Sequence, residues 1–153
     1  MRSLDVECAV AAYFNPRVNL AIPNVSWAFL HYEADLLIIT RSDYLYEVEI
    51  KISKYDLKKD LEKRHKHDNR KVSRVFFAVP ESLLRNKGMI PEYAGILVVD
   101  ENWYCRKERE APIRNKYKLS ETEVKDLYRL GALKLWTAKN KLKEIRTRYE
   151  LGE

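Results

Sequence analysis

Apolar positions along the chain fall into short blocks whose spacing changes from helical to extended and back. Ser3 to Phe14 carries Leu4, Val6, the run Cys8 to Ala12, Tyr13 and Phe14, with Asp5 and Glu7 in its first half. That pattern predicts a short, largely buried helix, stopped by Asn15-Pro16 because proline has no backbone donor to continue it. Val18 to Ile22 and Val25 to Leu30 are rich in branched and aromatic residues and are split by Pro23-Asn24. They read as two strands around a turn, or as one irregular strand. Ala34 to Thr40 and Tyr44 to Ile52 are nearly continuous apolar runs separated by Arg41-Ser42-Asp43, which predicts a hairpin.

Lys54 to Lys66 has Leu57 and Leu61 one turn apart and lysines elsewhere, the pattern of a helix with both leucines facing inward. Val72 to Val79 and Gly95 to Val99 read as strands, and Trp103-Tyr104 as the start of a last short one. Ser120-x-x-Glu123 is a capping box ahead of Val124, Leu127 and Tyr128 at helical spacing. The C-terminal segment is therefore expected to be helical to about Tyr149, with Gly131 a place where it could break. The order of elements predicts a single α/β domain spanning residues 1–153. Its central mixed sheet is flanked by helices, and a helical C-terminal segment occupies about residues 118–150.

Composition narrows the setting. The 153 residues are 46% hydrophobic and 34% charged, enough for a core under a densely charged surface, which excludes wholesale disorder. The apolar runs are far too short to span a bilayer, so no membrane role is expected. No basic-then-apolar leader opens the chain. Cys8 and Cys105 are far apart and outside any CxxC spacing. They read as reduced thiols of a cytosolic protein, with Cys8 as core filler. The net charge of +6 is unevenly placed: residues 103–153 carry 14 basic against 8 acidic residues, whereas residues 1–102 balance at 15 each. A second basic window, Lys51 to Arg74, holds 10 basic and 4 acidic residues. Two such segments suggest a surface for a polyanion, or lysine-rich helices that keep a small protein in solution.

The segment that demands chemistry is Tyr44-Leu45-Tyr46-Glu47-Val48-Glu49-Ile50-Lys51. Side chains alternate faces in a strand, so Glu47, Glu49 and Lys51 share one face and Tyr46, Val48 and Ile50 the other. Three charged groups on one face among apolar strands are costly unless they meet solvent or form a site. Counted back from the hairpin turn, Asp35 lies roughly opposite Glu49. Two converging carboxylates suit a hard divalent cation such as Mg²⁺ or Mn²⁺, with coordination positions left for water and a phosphate oxygen. A lysine two residues on can orient or help deprotonate that water and stabilise developing charge. These are the parts of metal-assisted phosphodiester hydrolysis. The three histidines, His31, His65 and His67, form no HExxH or Cys/His pattern, which disfavours zinc. His65 and His67 fall at the end of the basic helix, where a macrodipole or phosphate contact fits. No glycine-rich phosphate loop and no GxSxG motif occur.

Asp35 followed fourteen residues later by Glu49-Ile50-Lys51 resembles the signature of the PD-(D/E)XK nuclease superfamily. The predicted order of elements is similar to that superfamily's restriction-endonuclease-like core. Further along, "VEIKISKYDLKKDL", "RVFFAVPESL", "PEYAGILVVD" and "EAPIRNKYKL" resemble the MmcB-like branch, small bacterial and phage proteins associated with DNA repair. The resemblance implies a DNA substrate. It makes Asp35 and Glu49 metal ligands, with the Ile50 backbone carbonyl as a third, and Lys51 the catalytic lysine. Glu7 matches the glutamate that the superfamily often carries on its first helix; it could equally be an exposed helix residue. Glu47 could serve a second metal or lie near the open edge of the sheet, and the edge is favoured. Glu33 could be an outer acid or belong to a solvated strand end.

Ser53 is expected to cap the helix that follows, and a phosphate contact from it is compatible with that role. Lys54, Lys58, Lys59, Lys63 and Arg64 are the candidates for DNA phosphates. Tyr55, Trp103, Tyr104 and Trp136 are read as packing residues. Two functions follow: a metal-dependent deoxyribonuclease of a bacterial or phage-infected cell, or a DNA- or partner-binding module on the same fold that cuts poorly or not at all. RNA as substrate, a homodimer and a protein partner all stay open.

Overall fold

The hairpin at the centre of the chain organises everything else. The computed structural model describes residues 1–26, 29–63 and 67–152. In it Ala34–Ile39 (β2) and Leu45–Ile50 (β3) pair antiparallel around the turn at residues 40–44. Leu20–Val25 (β1) adds to the outer side of β2, also antiparallel. It is one strand that continues through Pro23, with Asn24 at φ +50° taking up the irregularity. Being an edge strand, β1 tolerates the missing proline donor.

Beyond β3 the chain crosses over through the helix Lys54–Leu61 (α2) to Val72–Pro80 (β4), which lies parallel to β3. Ala94–Val99 (β5) is parallel to β4, and Cys105–Arg109 (β6) closes the sheet antiparallel. The six strands therefore stand in chain order, β1 to β6, as one mixed sheet. Ser3–Tyr13 (α1) covers one face, packing Val6 and Val10 against Leu36, Val48 and Phe76. The other face is covered by α2, a 3₁₀ segment at Glu81–Met89 and the start of Glu121–Leu151 (α3). There Leu57, Leu83 and Leu127 meet Leu37, Leu45 and Phe77.

Several expectations change. Helix α3 runs unbroken through Gly131 for 31 residues, because the Ser120/Glu123 capping box starts it and its C-cap falls only at Gly152. Leu61 is 48% exposed; Asp60 turns inward with Leu57 instead, since three cations wait for it. Cys8 sits on the outer face of α1 and is exposed, whereas Cys105 is buried. Trp103 and Tyr104 lie in the turn before β6, where Trp103 takes a positive φ, and both are exposed. Tyr55 and Trp136 are exposed as well.

One close approach is tied to a glycine. A Cβ on Gly95 would stand 2.6 Å from Phe76 Cδ1 and 2.7 Å from the Ala111 nitrogen, so backbone and a ring in the α1 layer would have to move. Gly95→Ala is expected to destabilise the fold by about 1–3 kcal/mol, the usual range for overpacking, read as a lowered urea midpoint.

Candidate metal and nucleic-acid site

Strand alternation divides β3 between the layers. Tyr46, Val48 and Ile50 face α1, and Leu45, Glu47 and Glu49 face α2. The pairing of Leu36 with Val48 and Leu37 with Glu47, continued one step, sets Asp35 opposite Glu49. Residues so placed stand about 4.5–5.5 Å apart at Cβ. Asp35 is half-buried and its Oδ2 accepts a 2.8 Å bond from the Ile50 amide. The contact between these two residues thus runs from the Ile50 nitrogen to the Asp35 carboxylate.

The α2 face holds a buried charge network. Lys51 Nζ lies 2.8 Å from Glu49 Oε2 and 2.9 Å from Asp60 Oδ1. Lys63 Nζ reaches the same two oxygens at 3.4 and 2.7 Å. His67 Nδ1 is 2.6 Å from Glu47 Oε1, and its Nε2 is 2.8 Å from Asp60 Oδ2. The Tyr32 hydroxyl donates to the other Glu47 oxygen. With ionised carboxylates on both nitrogens His67 donates from each as an imidazolium, the state that its contacts with Glu47 and Asp60 favour. Among the described residues, Glu47, Glu49 and Asp60 then balance Lys51, Lys63 and His67 charge for charge. That balance is what makes burial of so many ionised groups tolerable.

The titration of these groups follows. Burial opposes the charge on His67, but its bonds to Asp60 and Glu47 outweigh this and push its pKa up to about 9. Burial would also lower Lys51; the charges of Glu49 and Asp60 win, and it is held well above its ordinary value. Lys51 is thus a firm ammonium at neutral pH, suited to orienting and charge stabilisation rather than to taking a proton. Burial would raise Asp60, yet the His67 bond and the Lys51 and Lys63 contacts hold it far below the carboxylate range. Asp35 behaves differently: burial first, then the Glu49 charge, push it up. Glu7, half-buried on α1, is raised by burial and by the charge of Asp35, which places it within electrostatic reach of that carboxylate.

Two donor sets could hold a cation. Glu47, Glu49 and His67 bring one ligand atom each to within 4.8 Å of one another, and Glu49 Oε1 is buried with no hydrogen bond among the described residues. An ion there would have to replace the His67 proton, and its nitrogen donor suits a transition metal more than Mg²⁺. The second set is Asp35 and Glu49, with Glu7 nearby. Both donors are oxygens, the ligand type Mg²⁺ takes; Asp35 is half-buried, and Glu49 is 2% exposed with its Oε2 bonded to Lys51. Asp35 and Glu7, both raised by burial and by neighbouring negative charge, present the electrostatic condition that a divalent cation relieves.

The remaining expected residues divide clearly. Glu47 is fully buried on the third of six strands, so the edge reading is corrected: β2 and β4 cover it on both sides, and Tyr32 and His67 satisfy it. Glu33 is exposed just before β2. Ser53 caps α2, its hydroxyl accepting from the Asp56 amide at 3.1 Å. Lys54, Lys58 and Lys59 are exposed on α2, whereas Lys63 is drawn into the network. Arg64, His65 and Lys66 lie outside the described residues. His67, expected at a helix end near phosphate, is wholly buried. Sequence reasoning missed Asp60 and Tyr32. The one signal for Asp60 was an acid three residues after Leu57, on the inward side of α2.

No protein-family model matches the chain, and no curated protein does. Among solved structures it is similar to the SPO1766 protein of unknown function from Silicibacter pomeroyi. The TM-score is 0.67 at 19% identity, over 95% of this chain and 92% of that one. At that identity the likeness concerns the fold alone: an α/β architecture with a six-stranded mixed sheet, flanking helices and a C-terminal helix. No helix among the described residues is long and apolar enough to cross a membrane.

Proposed function

We propose that the chain is a metal-dependent phosphodiesterase acting on DNA, with a restriction-endonuclease-like core of the PD-(D/E)XK kind and a role in repair, recombination or phage DNA processing. The observation that carries this is the meeting of Asp35 and Glu49 across β2 and β3, with the Lys51 ammonium next along β3. The site lies where β3 ends, and the carboxyl ends of parallel strands are where open α/β sheets bind ligands. Asp35 and Glu49 would hold Mg²⁺ or Mn²⁺, with Glu7 as the acid behind them. The ion, when bound, would lower the pKa of a water and neutralise charge on the scissile phosphate.

The protein's own groups supply the rest. Lys51 has three N–H donors and two are spent on Glu49 and Asp60. The third is available to a phosphate oxygen or the attacking water. Lys54, Lys58 and Lys59, exposed on the helix that begins four residues beyond Ile50, would track the DNA backbone. On this reading the protein works in the cytoplasm of a bacterial or phage-infected cell.

A second reading has its own observation. Among the described residues the inner network is already neutral without a metal, and Lys51 is only 6% exposed. A DNA- or partner-binding module that keeps the fold without turnover is compatible with that. Cleavage of labelled single-stranded, duplex, flapped and four-way DNA, with RNA counterparts, separates the two in Mg²⁺ or Mn²⁺. Product is expected with the parent and absent with Asp35→Ala and with Lys51→Ala, both checked for folding by circular dichroism. Cleavage that survives in both variants would remove the site assignment. Absence of product alongside metal-independent DNA binding would favour the module.

A further inference from the structure

Helix α3 begins inside the domain and ends outside it. Val124, Leu127 and Leu130 pack onto the core, a Cβ on Gly131 would stand 3.6 Å from Ile22 Cγ1, and Lys134 Nζ donates to the Asn24 carbonyl at 2.8 Å. From Leu135 to Gly152 every residue is exposed. The apolar pattern does not stop where the contacts do. Gly131, Leu135, Ala138, Leu142, Ile145 and Tyr149 recur at steps of four, three, four, three and four. That is an a/d seam of period 3.5, and it prolongs the face that α3 presses on the domain through Val124 and Gly131. Leu135, Leu142, Ile145 and Tyr149 stand 57%, 66%, 64% and 88% exposed on it.

The flanks of the seam are of one sign. Lys134, Lys141 and Arg148 border it on one side, Lys139 and Arg146 on the other, and no acid occupies a flanking position between Gly131 and Tyr149. Glu144 and Glu150 sit away from the seam, the latter 2.7 Å from Arg146 Nε. We infer that the outer half of α3 docks an acidic amphipathic helix of a partner protein. That helix would have branched or aliphatic residues on its own seam and Asp or Glu beside it. The inference is independent of the chemistry at Asp35.

The flanks decide among occupants. A second copy of this chain, parallel or antiparallel, would set cations against cations along the whole seam, which costs both affinity and register. Duplex DNA would satisfy the cations but leave four large apolar side chains wet. A lipid surface wants a broad apolar face, whereas this seam is two residues in seven, and Leu133 and Trp136 project from other sides of the helix. Only a helix carrying negative flanks covers the apolar residues and neutralises the basic ones together.

The test uses the full chain and two synthetic heptad peptides, identical at the apolar positions, one with Glu and the other with Lys at the flanks. Fluorescence anisotropy of the labelled peptides is run beside sedimentation of the chain alone, with duplex DNA and phosphatidylserine vesicles as further arms. The Glu peptide is expected to bind one to one and the Lys peptide not to bind. Leu142→Asp is expected to weaken the Glu peptide about tenfold or more, a loss of about 1.4 kcal/mol. Lys141→Glu with Arg148→Glu should shift the preference toward the Lys peptide, and circular dichroism should show both variants folded, since these positions touch nothing in the domain. The inference falls if the Glu peptide does not bind. It falls equally if the chain forms dimers that Leu142→Asp dissolves, or if that substitution weakens vesicle or DNA binding and leaves the peptide untouched.

Discussion

His67→Ala is expected to lower the stability of the metal-free protein by about 3–5 kcal/mol, the range for removing one partner from a buried ion pair. The substitution deletes the imidazolium between Glu47 and Asp60 and leaves one oxygen of each carboxylate unpaired in a region with no solvent access. The same group gives the parent an alkaline limb. A histidine whose folded pKa is raised from about 6.5 to about 9 contributes its full stability below the lower value and loses it as pH rises through the higher one. The gap corresponds to about 3 kcal/mol between pH 6 and pH 10. Glu47, raised by burial, acts in the same direction. Asp60, held low, acts at the other end: its contribution is present above its ordinary pKa and is lost as the solution is acidified through the depressed value. Urea midpoints in EDTA should therefore be highest between about pH 4 and 6.5 and fall toward pH 10. His67→Ala should lose the part of the alkaline fall that His67 supplies between about pH 6.5 and 9, keep the part due to Glu47, and show a shallower acid limb, since only Lys51 and Lys63 then hold Asp60 low. A parent midpoint that is flat from pH 6 to 10 would mean that His67 is not the charged centre of the network.

That network shows what a sequence can and cannot disclose. The alternation in Tyr44 to Lys51 assigns Glu47 and Glu49 to one face, because face depends only on parity along a strand. Depth depends on what lies over the strand, and here the cover comes from elsewhere: Tyr32 before β2, Asp60 on α2, and His67 beyond it. An acid that looks fit only for an open edge becomes tolerable in the centre of a sheet once three cations converge on it and its neighbours. The hairpin was readable because its turn and register are local. Helix α2 was harder. Leu57 fixes its inward face, but residues 60 and 61 both lie near that face, and the choice between a leucine and an aspartate is made by ion pairs with Lys51 and Lys63. On α3 the apolar spacing announces a stripe and says nothing of where the domain beneath it ends. Trp136 therefore reads as a packing residue although nothing in the domain covers it.

Lys51→Met is the substitution in which folding and turnover should separate. Methionine keeps the unbranched aliphatic stem against Phe77, over whose ring the ammonium stands at 5.8 Å, and removes only the charge and its donors. Glu49 and Asp60 would not be left alone, because Lys63 Nζ stays 2.7 Å from Asp60 and 3.4 Å from Glu49. The cost in stability should therefore sit near about 3 kcal/mol, the low end for a broken buried pair. If the site is the nuclease proposed above, turnover should fall much further, by about 10²–10³-fold, as when one preorganised donor is removed from a developing oxyanion. Lys63→Met is the control. Its side chain is 35% exposed and meets the same two oxygens, so its loss should cost less stability and change cleavage by no more than a few-fold. Single-turnover cleavage, at a temperature where urea titration shows each variant folded, makes the comparison. A Lys51→Met rate that tracks the folded fraction would assign Lys51 to the scaffold. A rate that collapses in a folded protein, while Lys63→Met stays near the parent, would place the Lys51 ammonium against the reacting phosphate.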